Sequence, residues 1–181
     1  MLVFLIGYMG SGKTSIGKKL AARLGYGFID TDKEIEQDYG GTVREMFEKE
    51  GEAFFRQRER ELLEKLGGRK GDFIVSTGGG MPCRPGNIEL MNDLGLTIYL
   101  KMGPEKLASR LKGGRDKRPI LKGLSDDELV GFISDNLEQR EPFYGKAAMV
   151  LECDDAGDEY ICNQAAQCVG WSLKQKPAES V

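Results

Sequence analysis

The most constraining stretch of the chain is Gly7-Tyr8-Met9-Gly10-Ser11-Gly12-Lys13-Thr14, which matches the phosphate-binding loop pattern G-x-x-x-x-G-K-[ST] at every fixed position. The apolar run Leu2 to Ile6 precedes it and a segment of helical periodicity follows, so strand, loop and helix are predicted in that order. In such a loop successive backbone N–H groups turn inward as an anion cradle, and the positive end of the next helix adds to the field. Gly10, Ser11 and Gly12 would form the cradle of a nucleotide-binding site. Lys13 would reach the terminal phosphates as a point charge, and the Thr14 hydroxyl would be a ligand of Mg²⁺. Ser15 adds a second hydroxyl at the same place.

The rest of the chain alternates strand and helix. Ser15 to Leu24 places Ile16, Leu20 and Leu24 on one helical stripe, with Gly25 as a stop. Tyr26 to Ile29 reads as a second strand that ends at Asp30-Thr31-Asp32. Thr31 with Glu34 has capping-box spacing, while the same triplet stands at a strand's carboxyl end, where parallel α/β sheets gather ligands. Thr42 and Glu45 open a short helix that stops near Gly51, and a densely charged helix begins at Glu52. For any one of Arg56, Arg58 and Arg60 a solvated, acid-paired position is the default, and spacing does not choose among them. Asp72 to Thr77 is a third strand leading into Gly78-Gly79-Gly80, which reads either as a flexible turn or as backbone brought close to a ligand.

Pro85 to Leu94 is predicted helical, Thr97 to Leu100 a fourth strand, and Glu105 to Leu111 a helix carrying Lys106 and Arg110 on one face. The glycine-rich, basic stretch at about 112–124 reads as a mobile lid or as an exposed linker. Ser125 with Glu128 starts a long helix through Arg140 that Pro142 is expected to end. Ala148 to Leu151 is a fifth strand, and a last helix of about Glu159 to Leu173 puts Ile161, Ala165 and Val169 on one face. The expected fold is α/β: three layers, α/β/α, around a central five-stranded parallel sheet. It forms one domain over 1–174, with 175–181 a frayed tail.

Composition removes several classes of function. The net charge is −3 and the basic residues are interspersed with acids, which does not favour nucleic acid as a partner. No apolar run approaches the roughly 18–20 residues that a membrane helix needs, and a strand beginning at the second residue leaves no room for a signal peptide, so a cytoplasmic protein is expected. There is no histidine, so any proton acceptor has to be Asp or Glu. The four cysteines show no C-x-x-C pair and read as free thiols.

Several separate motifs then agree: the loop Gly7 to Thr14, Asp30-Thr31-Asp32, Gly51-Glu52 followed by Phe55-Arg56 and Glu59, Thr77-Gly78-Gly79-Gly80, Arg118-Pro119-Ile120-Leu121, and Arg140 with Pro142 and Tyr144. In order and separation they resemble the shikimate kinases, over nearly the whole chain. That resemblance implies a P-loop NTPase fold of the nucleoside monophosphate kinase type. It also implies ATP-dependent phosphorylation of the 3-hydroxyl of shikimate in the pathway to aromatic amino acids, with Mg²⁺ and ATP, by a monomer. By the same analogy Asp32, Arg56, Gly78, Gly79, Gly80 and Arg140 hold shikimate, the two arginines gripping its carboxylate and Asp32 the reacting hydroxyl. Glu59 orients Arg56, Asp30 helps hold the magnesium shell through water, Arg110 packs against adenine, and Arg118 is the lid arginine that meets the transferring phosphate. Lys13, Asp32 and Arg118 would be the catalytic set. The alternatives are another small-molecule kinase, for gluconate or a nucleoside monophosphate, and a nucleotide-dependent switch that phosphorylates no metabolite.

Overall fold

The computed structural model describes residues 1–113, 121 and 123–175. Five strands, β1 (Leu2–Ile6), β2 (Gly27–Asp30), β3 (Phe73–Ser76), β4 (Gly95–Lys101) and β5 (Met149–Glu152), form one sheet in the order β2-β3-β1-β4-β5. Every pairing is parallel, so each connection is a crossover and helices cover both faces. The helices are α1 (Lys13–Leu24), α2 (Thr31–Tyr39), α3 (Val43–Gly67), α4 (Asn87–Leu94), α5 (Pro104–Leu111), α6 (Asp126–Tyr144) and α7 (Asp158–Gln175), with a 3₁₀ turn at Met81–Cys83.

Strand β1 shows how the layers divide. Its successive side chains point to opposite faces. Val3 and Leu5 join the core beneath α1, α5, α7 and the start of α6, whereas Leu2, Phe4 and Ile6 join the core beneath α2, α3 and α4. Helix α6 belongs to both layers: Leu129 and Ile133 pack in the first core, Tyr144 in the second, and Leu137 against each. That crossing carries Arg140 from one layer toward the other. No helix among the described residues is long and apolar enough to cross a membrane.

Two local expectations turn out differently. The helix after β2 is capped by Asp30, whose side chain accepts from Lys33 N at 3.4 Å, and not by a Thr31–Glu34 box. Thr31 is engaged elsewhere: its hydroxyl accepts from Gly78 N at 2.9 Å. Pro142 does not end α6 but sits inside its last turn, and the helix continues to Tyr144, whose fully buried ring anchors the end. The expectation of two helices on either side of Gly51 holds: α3 is broken at that residue, where φ is 84° and ψ 171°. This conformation is open essentially only to glycine. Space is not the obstacle, since a Cβ there would meet nothing within 4 Å. Gly51→Ala is therefore expected to cost about 1–3 kcal/mol through backbone strain alone. Urea unfolding measures this, and an unchanged midpoint would show that the break is not locked.

Candidate active site

At the head of β1 the chain turns through Gly10 and Gly12, with φ of 86° and 94°, and Gly12 caps α1. Left-handed glycines at these positions let consecutive N–H groups face one concavity. Lys13 lies back over this loop, its Nζ donating to the carbonyls of Gly7 (2.8 Å) and Tyr8 (2.9 Å). Burial pulls its pKa down to about 8, although the nearby carboxylates of Asp32 and Asp30 oppose the shift. The Thr14 hydroxyl donates to Asp30 Oδ2 at 2.9 Å and lies 3.2 Å from Ser76 Oγ. These three are hard oxygen donors with a single carboxylate among them. That fits Mg²⁺, which keeps several waters and takes one or two carboxylates together with substrate phosphates, better than it fits a metal held by protein alone. Among the described residues no cluster of three acidic or thiol side chains could hold a metal unaided. Ser15 Oγ donates to Asp158 Oδ2 at 3.2 Å. Arg110 reaches the same carboxylate at 3.4 Å and runs close beside Gly12. Asp158 thus ties Ser15 and Arg110 together beside the loop.

The opposite wall comes from α2, α3, α6 and the glycines after β3. Thr31, bonded to Gly78 N, ties the Asp30 to Asp32 turn to the triple glycine. The glycines are small for a reason of contact. A Cβ on Gly78 would come within 2.7 Å of Asp32 Oδ1, and one on Gly80 within 2.9 Å of Arg56 Nη1. Arg56 is held from two sides: Nε and Nη2 each lie 3.0 Å from Glu52 Oε1, and Nη1 donates to Glu59 at 2.8 Å. Its two hydrogen bonds, from Nε and Nη1, leave N–H groups on both terminal nitrogens for a carboxylate. Glu59 is fully buried, and burial raises its pKa against the pull of Arg56. Arg140 stacks its guanidinium on the Tyr8 ring at 5.0 Å and makes no salt bridge among the described residues.

Two cavities share this wall. One, of about 390 Å³, is lined by Gly10, Gly12 to Ser15, Asp30 and Ser76. The other, of about 870 Å³, is lined by Phe47, Glu52, Arg56, Glu59, Arg84 and Arg140. Met9, Asp32, Gly78 and Gly79 line both. At that junction Asp32 Oδ1 is buried with no hydrogen-bond partner among the described residues. Burial, and next the charge of Asp30, raise the Asp32 pKa, with Lys13 acting in the opposite direction. A buried carboxylate oxygen without a partner is costly, so its presence between two cavities marks a place for a ligand's donor.

A family model described as shikimate kinase matches residues 9–169. The chain belongs to the shikimate kinase family. It is 47% identical over 152 residues to a shikimate kinase of Parabacteroides distasonis, covering 84% of this chain and 87% of the relative. A shikimate kinase crystal structure from Bacteroides thetaiotaomicron superposes with a TM-score of 0.85 at 41% identity, covering 96% of this chain and 98% of that one. An Acinetobacter baumannii shikimate kinase in complex with shikimate gives 0.83 at 36% identity, covering 97% and 95%.

Within this shikimate kinase fold the structure brings Lys13, Thr14, Asp30, Asp32, Arg56, Glu59, Gly78, Gly79, Gly80 and Arg140 around the two joined cavities. Ser11 is buried beneath the loop. Arg118 and most of the lid expected at about 112–124 lie outside the described residues, as does 176–181 of the expected tail. Three contributors, Ser76, Arg84 and Asp158, were not singled out by sequence. Ser76 lies at the end of an apolar strand, while Glu52, read only as part of the Gly51-Glu52 motif, takes its role here as a partner of Arg56 at i+4. Arg84 pairs with Glu52 across the cleft mouth, and Asp158 begins α7. The four cysteines are free, as their spacing suggests.

Proposed function

We propose that the protein transfers the terminal phosphoryl group of ATP to the 3-hydroxyl of shikimate. The observation that carries this reading is the unpartnered Asp32 Oδ1 at the junction of the phosphate cradle and the arginine-lined cleft. The relative that binds shikimate supports the choice of acceptor. An acceptor with a carboxylate at one end and a hydroxyl at the other spans the larger cavity: Arg56 and Arg140 take the carboxylate, and the hydroxyl reaches Asp32.

Phosphoryl transfer through a loose transition state asks mainly for positioning and charge neutralisation. The loop from Gly7 to Thr14 holds the donor's phosphates, and Lys13 turns from the carbonyls of Gly7 and Tyr8 to the terminal phosphate. Mg²⁺, when bound, neutralises charge on the phosphates beside Thr14 and Asp30. Asp32 accepts a hydrogen bond from the reacting hydroxyl through Oδ1, aims the hydroxyl oxygen at the phosphorus and takes its proton as the new O–P bond forms and the bond from the terminal phosphorus to the bridging oxygen breaks, releasing ADP. Arg110, beside Gly12, packs on the base. Glu59 keeps Arg56 aimed across Gly80.

Arg56→Lys removes the planar fork but keeps the charge. The KM for shikimate is expected to rise by the equivalent of about 1.5–3 kcal/mol, the range for hydrogen bonds to charged groups. An unchanged KM would remove Arg56 from the acceptor site. The function itself is tested by coupled detection of ADP with a panel of acceptors. Release that depends on shikimate and fails with gluconate and nucleoside monophosphates is expected, and release indifferent to shikimate would contradict the reading.

A further inference from the structure

The ring pair Tyr99 and Tyr144 lies in the core under the triple glycine, with centroids 5.0 Å apart. Both rings are almost wholly buried, yet their hydroxyls do different things. Tyr99 donates to Glu141 at 2.8 Å. Tyr144 donates to the carbonyl of Gly79 at 2.6 Å, and both Arg140 and Cys83 lie against the same hydroxyl. The Cys83 thiol also approaches that carbonyl, at 3.9 Å.

The carbonyl of Gly79 and the N–H of Gly80 belong to one planar trans peptide and point in opposite directions. Anchoring the carbonyl to a buried hydroxyl turns the Gly80 N–H outward, to the cleft that Gly79 and Gly80 line. Tyr144 also follows Arg140 by one helical turn, so the residue that fixes the glycine peptide stands on the same face as the arginine. Gly79 lies beside Arg140, with a Cβ there 3.5 Å from its Nη1, and Gly80 lies against Arg56. Glycine has no side chain to hold its own peptide plane, so the orientation has to be imposed from outside.

We propose that Tyr144 is a positioning residue for the acceptor's carboxylate. Its hydroxyl clamps the Gly79–Gly80 peptide to α6, so that the Gly80 N–H and the guanidinium groups of Arg56 and Arg140 converge on one anion. The role rests on the acceptor assignment above, and it concerns the binding of shikimate and not the chemical step.

Tyr144→Phe keeps the ring against Tyr99 and deletes only the hydroxyl. The variant is expected to raise the KM for shikimate about tenfold, the loss of roughly one hydrogen bond's worth of binding. Its kcat is expected within about twofold and its KM for ATP unchanged. Tyr99→Phe is the matched control, since it removes a hydroxyl from the same ring pair without touching Gly79, and its KM for shikimate is expected to equal that of the wild type. A Tyr144→Phe enzyme with unchanged KM for shikimate would overturn the proposal. So would an equal rise in Tyr99→Phe, or a rise in both substrates' KM with a lowered Tm, because either marks a general loosening of the core. Wild-type protein run alongside separates the two claims: if it shows no shikimate-dependent turnover, the acceptor assignment itself fails.

Discussion

Asp32→Asn is expected to lower kcat for shikimate by about 10²-fold or more, the lower part of the range for a positioned proton acceptor. The substitution keeps the shape of the side chain, so the KM for ATP should stay near its wild-type value. In the wild type the acid limb of kcat/KM should lie above the pH expected of an ordinary aspartate, since burial and Asp30 raise its pKa. In the variant that limb should flatten. A kcat within threefold of wild type would mean that Asp32 does no more than fill space. Stability moves the other way. The folded carboxyl titrates above its unfolded value, so over that window the native state holds a proton the unfolded chain has lost, and stability falls as pH rises through it. Asp32→Asn removes this dependence. Its Tm should exceed that of the wild type at neutral pH and converge on it as the pH falls, a gain in stability set against a loss of function.

The second large effect is at Lys13. Lys13→Met keeps the length of the side chain and deletes the charge, and kcat should fall by about 10²–10³-fold, the cost of one preorganised donor at developing negative charge. The KM for shikimate should change little, since Lys13 lines the phosphate cavity and not the larger cleft. The free protein holds this ammonium buried at a pKa of about 8, and phosphate oxygens favour its charged form. Binding of ATP without metal at about pH 9 should therefore take up close to one proton. Calorimetry in two buffers of different ionisation enthalpy reads this directly, and equal heats in the two would contradict it.

Much of this architecture was legible in the chain, because its strongest signals are local. Apolar runs ending in glycine or in Asp30-Thr31-Asp32 located the carboxyl ends of β1, β2 and β3, and the capping boxes at Thr42 and Ser125 were found where their spacing put them. What periodicity could not reach were the partners chosen by tertiary contact. Thr31 had the spacing of a helix cap, but a backbone N–H arriving from Gly78, 47 residues away, claimed its hydroxyl, and Asp30 capped the helix in its place. Pro142 carried a local stop signal that the burial of Tyr144 overrode. Among the charged residues of α3, Arg56 differs from Arg58 and Arg60 by its two carboxylate partners and its place in the larger cleft. Both depend on how α3 lies against the glycines after β3, which spacing along one helix does not encode.

Phosphorus NMR of the reaction of the protein with ATP, magnesium and shikimate distinguishes transfer of a phosphoryl group to a carbon-borne hydroxyl from hydrolysis of the nucleotide. The predicted result is one new phosphomonoester signal, coupled to a ring proton of the acceptor and growing in step with ADP. Inorganic phosphate appearing in step with ADP, with shikimate left unmodified, would contradict it.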